Sequence, residues 1–252
     1  MRFWALVVLA VAATAHAAPT LDDLGITVDT GADEIMDGGY RGSIHLVPQL
    51  PDGRYKRHRE WTTKAWIDID AFFTSLKLPD PAPYRWRNIA MKFVRSVGKR
   101  TPSAWASQWT INYNVEGSLM TSAAGVRETL FHELFHLNDE QHGDWSAKTL
   151  AADYNAIVKK CGIKPACLAP YAPNDTKVRA SGTYYAFQPN NGSGVHEYAA
   201  ELAVRYWKEQ REMAEAGKLS HRAFKCGPAE NARAWAALVG EFFGGRDTVP
   251  DC

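Results

Sequence analysis

His132 and His136 stand four residues apart, with Glu133 beside the first, in the segment His132-Glu133-Leu134-Phe135-His136. On an α-helix, residues at that spacing share a face one turn apart, so both imidazoles can aim a ring nitrogen at one point. The arrangement supplies two ligands to a metal. Zinc takes neutral imidazole nitrogen at about 2.0–2.1 Å, and a catalytic zinc uses three protein ligands while water holds the fourth position. Glu133 then stands where a carboxylate can take a proton from that water and return it to a leaving group. The metal lowers the pKa of the water toward neutrality, so no strongly basic side chain is needed. Two blander uses of the pair stay open at this point: histidines hydrogen-bonded within a core, or ligands of a closed structural zinc in a secreted binding protein.

The third ligand decides the subclass, and two candidates compete. The nearer is His142, because His132 to His142 has the span of the metzincin pattern H-E-x-x-H-x-x-G-x-x-H. Asp139 stands where that pattern has glycine, and glycine is what lets the chain turn back in a left-handed conformation. The pattern also wants a methionine turn below the metal, and the only methionine after the motif is Met213, in the charged stretch KEQREMAEAGK. The farther candidate is Glu197, with Glu201 four residues on, in the segment VHEYAAELAVRYW. Carboxylates on a half-buried helix are costly unless each has a cationic or hydrogen-bonding partner. Glu197 can bind the metal and Glu201 can accept the free N–H of a metal-bound histidine.

His132-Glu133-Leu-Phe-His136-Leu-Asn-Asp139 followed by Glu197-Tyr-Ala-Ala-Glu201 resembles the gluzincin branch of the zincin metallopeptidases. Within it, the pattern is most similar to the protease domain of anthrax lethal factor and related secreted proteins. The resemblance covers two short segments. It implies peptide-bond hydrolysis, zinc ligands His132, His136 and Glu197, Glu133 as general base, and support from Asp139 and Glu201. It also implies a transition-state-stabilising tyrosine seven residues before the glutamate ligand, where this chain has Asn190. Tyr184, Tyr185 and His196 are the candidates for that role.

Positioning such residues requires a helix under the His motif, and Val126, Leu130, Leu134 and Leu137 keep a helical period over Ser118–Glu140. Strands are predicted before it at Asn88–Val97 and Ser107–Val115, and an amphipathic helix at Trp61–Leu78, stopped by LPDPAP. After it come a helix at Trp145–Lys160, a loop at 170–176, a strand or hairpin arm at Val178–Phe187 and a loop at 188–194. Helices at Val195–Glu215 and Pro228–Phe243 complete the chain. Residues 18–60 read as an irregular lead-in, apart from a short strand at Ile44–Val47, and could cover a cleft as a propeptide. The expected fold is α+β and zincin-like, over residues 61–252: a sheet-containing N-terminal lobe ending in the His helix, and a mainly helical C-terminal lobe carrying Glu197.

The first residues, MRFWALVVLAVAATAHA, have one early cation, an apolar run and the small-x-small triplet Ala15-His16-Ala17. They read as a signal peptide cleaved after about Ala17, too short in its apolar run to span a bilayer. Export places the protein outside the cell or in the periplasm, with no membrane anchor. Removing Arg2 from the 29 basic residues leaves them equal in number to the 28 acidic ones, which removes any electrostatic case for nucleic acid. The expected partner is a peptide or protein substrate of a monomeric enzyme; a cell-wall peptide amidase is a further possibility that no loop residue decides. Cys161, Cys167, Cys226 and Cys252 form an even set suited to an oxidising compartment. Of three connectivities, Cys161–Cys167 and Cys226–Cys252 are favoured, closing a short Gly- and Pro-containing loop and tying down the tail. No C-x2-C spacing supports a zinc–thiolate cluster.

Overall fold

Met91 and Phe93 are buried while Lys92 between them is exposed, the period-two pattern of a strand with one face on a core. They belong to the central strand of the computed structural model, which describes residues 18–178, 182–189 and 192–252. Residues 1–17, expected to be a signal peptide, and Asn190 lie outside the described residues. Six strands form one mixed sheet: β1 (Thr27–Thr30), β2 (Glu34–Asp37), β3 (Ser43–Pro48), β4 (Ala90–Val97), β5 (Ala104–Ser107) and β6 (Thr110–Asn114). Strand β4 pairs in parallel with β1 and β6 and antiparallel with β3, and β5 is an outer strand on β6.

Seven α-helices complete the described residues: α1 (Lys56–Leu76), α2 (Ala123–Gln141), α3 (Trp145–Thr149), α4 (Ala151–Cys161), α5 (Pro165–Leu168), α6 (Gly194–Ala216) and α7 (Ala229–Phe242). The class is α+β, as expected. Helix α1 lies on the inner face of the sheet, where Trp66 Nε1–H reaches Met91 Sδ at 2.8 Å. Phe73 of α1 stacks on Phe131 of α2 at 6.0 Å, and Phe131 stacks on Trp207 of α6 at 4.8 Å. One contiguous apolar cluster runs from Leu24 and Ile26 through these rings to Phe242 and Val249. The sheet half and the helical half therefore share a core, which sets α2 against α6.

Several elements differ from their sequence reading, each for a physical reason. Within residues 18–60 the expected strand at Ile44–Val47 is present as β3, but the rest is not an irregular lead-in: it also carries β1 and β2. The first two strands are largely exposed, so backbone pairing holds them and no hydrophobic period marks them. Helix α1 begins five residues before Trp61, because its buried stripe continues through the polar residues His58 and Thr62. The expected boundary at residue 61 thus falls inside a helix. The strand expected at 107–115 is present as β6, but it is one arm of a hairpin, β5 to β6, turned at Gln108 and Trp109 with φ of 48° and 59°; those left-handed residues give the primed turn that matches strand twist. The helix expected at 145–160 is split at Leu150 into α3 and α4. Of the strand or hairpin arm expected at 178–187, residues 179–181 lie outside the described residues; the described ones carry an isolated antiparallel bridge, Lys177 to Tyr184, and a 310 turn at Tyr185–Phe187. Both favoured disulfides are present, with Cα–Cα distances of 5.3 and 5.5 Å. No helix among the described residues is long and apolar enough to cross a membrane.

Candidate metal centre

Helix α2 starts at a serine cap, where Ser122 Oγ accepts the Gly125 N–H at 3.0 Å, satisfying one of the free donors of a first turn. From Thr129 to Asp139 every residue is buried except His136, which is half-buried. A helix covered this completely gives its polar side chains no solvent to fall back on, so His132 and Glu133 need partners within the protein. The rings of His132 and His136 stand 4.7 Å apart at 81°, one turn above each other as their spacing requires.

The partner comes from α6. Glu197 sits in its first turn, where a carboxylate is favoured by the helix dipole. His132 Nε2 is 3.1 Å from Glu197 Oε2 and 3.0 Å from His136 Nε2, and His136 Nε2 is 3.8 Å from the same carboxylate oxygen. Two imidazole nitrogens and a carboxylate oxygen converge on one point, a set that could hold a metal ion. The circle through these three atoms has a radius of about 2.0 Å, close to the length of a zinc–imidazole bond. The donor set fits the ion in chemistry and in size.

The electrostatics agree. Burial works against a charge on His132, yet Glu197 and Glu201 together raise its pKa well above the ordinary value. Burial works likewise against the Glu197 carboxylate, but the two histidines hold it far below the usual range. Both shifts mean that positive charge between these groups is stabilised. Burial raises the pKa of Glu133, with His132 and His136 opposing and Glu197 adding to the rise. A carboxylate shifted upward in this way is a better proton acceptor near neutral pH.

Glu201, one turn beyond Glu197, brings Oε1 to 3.3 Å from His132 Nδ1, the nitrogen that faces away from the converging group. Asp139 has a different use: its carboxylate accepts the Ser146 N–H at 2.7 Å and the Ser146 hydroxyl, capping α3. His196 Nε2 lies 3.9 Å from Asp139 Oδ2. His142 is committed elsewhere, with Nδ1 2.6 Å from Glu241 Oε1 and Nε2–H donating to the Pro83 carbonyl at 2.9 Å. Of the three residues considered for stabilising the transition state, Tyr185 has its ring 5.8 Å from that of His132. Tyr184 is buried against Lys177, whose Nζ is 5.1 Å from the ring. Tyr154 of α4, which no sequence motif marks, bears on the first residue of α6.

Comparison with protein-family models, with curated proteins and with solved structures gives no match to this chain. The side-chain arrangement itself carries the functional reading.

Proposed function

We propose that the chain is an exported zinc metallopeptidase of the gluzincin type, with a zincin-like fold. The observation that carries the proposal is the convergence of His132 Nε2, His136 Nε2 and Glu197 Oε2, with Glu133 next to the first ligand. Three ligands from the chain, not four, make up the group among the described residues, which favours a catalytic over a closed structural ion. The half-buried His136 and Glu197 put the group within reach of solvent. Two disulfides agree with an oxidising extracellular or periplasmic setting.

When bound, zinc supplies Lewis acidity toward the scissile carbonyl and brings the ionisation of water near neutral pH. The remaining work belongs to the chain. His132, His136 and Glu197 hold the ion, and Glu201 orients the His132 ring through Nδ1. Glu133 takes a proton from the attacking water and delivers it to the leaving nitrogen. Tyr185 is the residue best situated to donate a hydrogen bond to the carbonyl oxygen as charge develops there.

The test is the Glu133→Gln variant, assayed for zinc content and for hydrolysis of a mixed peptide library. It should keep one zinc per chain and lose about 10²–10⁴-fold in turnover. Undiminished turnover would overturn the mechanism, and a wild-type protein without zinc would overturn the metal assignment.

A further inference from the structure

Gly194 is the first residue of α6, three residues before Glu197. Its backbone is not in the left-handed region, so no turn geometry calls for glycine. The reason is steric. A Cβ on Gly194 would stand 2.1 Å from Tyr154 Oη and 2.9 Å from Tyr154 Cζ, far inside van der Waals contact. The phenol end of Tyr154 occupies the place of the missing side chain.

Tyr154 has little freedom to withdraw. Its ring stacks on Phe187 at 5.6 Å and 12°, and lies 5.9 Å from Tyr198, and both neighbours are buried. Its helix, α4, is turned at its far end by the Cys161–Cys167 disulfide. The charge of Glu197, after burial, contributes to raising the Tyr154 pKa, so the ring lies within the field of the ligand. Further along α6, the stack of Trp207 on Phe131 holds the helix sideways against α2. Tyr154 acts at the other end, as a stop for the first turn.

We infer that the Tyr154–Gly194 contact is a positioning device for the metal centre, seating the start of α6 so that Glu197 meets His132 and His136. The inference rests on the metal-centre reading, and it makes Tyr154 and Gly194 positioning residues, not ligands. A methyl group at 194 should push the first turn of α6 away from α4 and open the three-donor group. Shortening residue 154 should accommodate the methyl group and undo the effect.

Zinc affinity, measured by competition with a chromophoric chelator, tests this on Gly194→Ala, Tyr154→Leu, the double variant and Gly240→Ala. Gly240, in α7, has open space where a Cβ would go, so it controls for the general effect of replacing a helical glycine. Gly194→Ala should bind zinc about 10–100-fold more weakly, the range for loss of a supporting contact around a metal. The double variant should return to within about threefold of Tyr154→Leu, and Gly240→Ala should match wild type. Unchanged affinity in Gly194→Ala, or a double variant as weak as Gly194→Ala alone, would overturn the inference. If the wild-type protein takes up no zinc, the metal-centre reading fails, and denaturant unfolding of the metal-free variants decides the contact separately: compensation between the two substitutions supports it and strict additivity overturns it.

Discussion

Glu201 Oε1 lies 3.3 Å from His132 Nδ1, while the other nitrogen of the same ring lies 3.1 Å from Glu197 Oε2. In the proposed centre one helix would thus supply both a metal ligand and the acceptor that orients a second ligand. Glu201→Ala should reduce zinc affinity about 10–100-fold without abolishing it, whereas Glu197→Ala should remove tight binding. Chelator competition separates the two. Equal losses in both variants would remove the distinction drawn between them.

His142 tests the rival third ligand. Its ring nitrogens face Glu241 and the Pro83 carbonyl, so His142→Ala should retain a full complement of zinc. The lost contacts should lower unfolding stability by about 1 kcal/mol. Metal analysis that found this variant empty would move the third ligand from Glu197 to His142.

Tyr185→Phe keeps the ring beside His132 and removes only the hydroxyl. Zinc affinity should be unchanged while turnover falls by about 10²–10³-fold, the effect of losing one donor to a developing oxyanion. Tyr184→Phe, on the Lys177 side of the turn, should change turnover little. The reverse pattern would reassign the role to Tyr184.

His58, which is not part of the candidate metal group, provides a pH-dependent contribution. It is completely buried, with Nδ1 2.8 Å from Tyr113 Oη. Burial, aided by Arg57 and opposed by Glu116, lowers its pKa from 6.5 to about 4. The unfolded chain therefore binds more protons than the folded one between those values, and stability rises with pH there. The neutral ring's contribution is fully present above pH 6.5 and is lost as pH falls toward 4, by about 3 kcal/mol. Denaturant unfolding from pH 7 to 4 should show a shallower loss in His58→Gln than in wild type. Parallel curves would mean that His58 titrates alike in the folded and unfolded chain, without the lowered value.

What the amino-acid sequence determined by itself is whatever depends on neighbours within one turn. A spacing of four becomes a shared helix face whatever the rest of the chain does. His132 with His136, and Glu197 with Glu201, could therefore be paired from the letters alone, and so could the short Cys161–Cys167 loop. Elements without a side-chain period were not legible: β1 and β2 are held by backbone hydrogen bonds, and the buried stripe of α1 runs through His58 and Thr62.

Which of those pairs meet was decided by the tertiary structure. Glu197 is 65 residues from His132, and the stack of Phe131 on Trp207 is what brings their helices together. His142 is six residues from His136, yet it leaves the end of α2 toward Pro83 and Glu241. The Asp139 carboxylate, similarly, serves Ser146. Tyr154 and Gly194 carry no motif at all, because a steric stop between two helices leaves no spacing to read. Local geometry sets which donors share a face; only close packing of the common core sets which faces converge to a circle small enough for one ion.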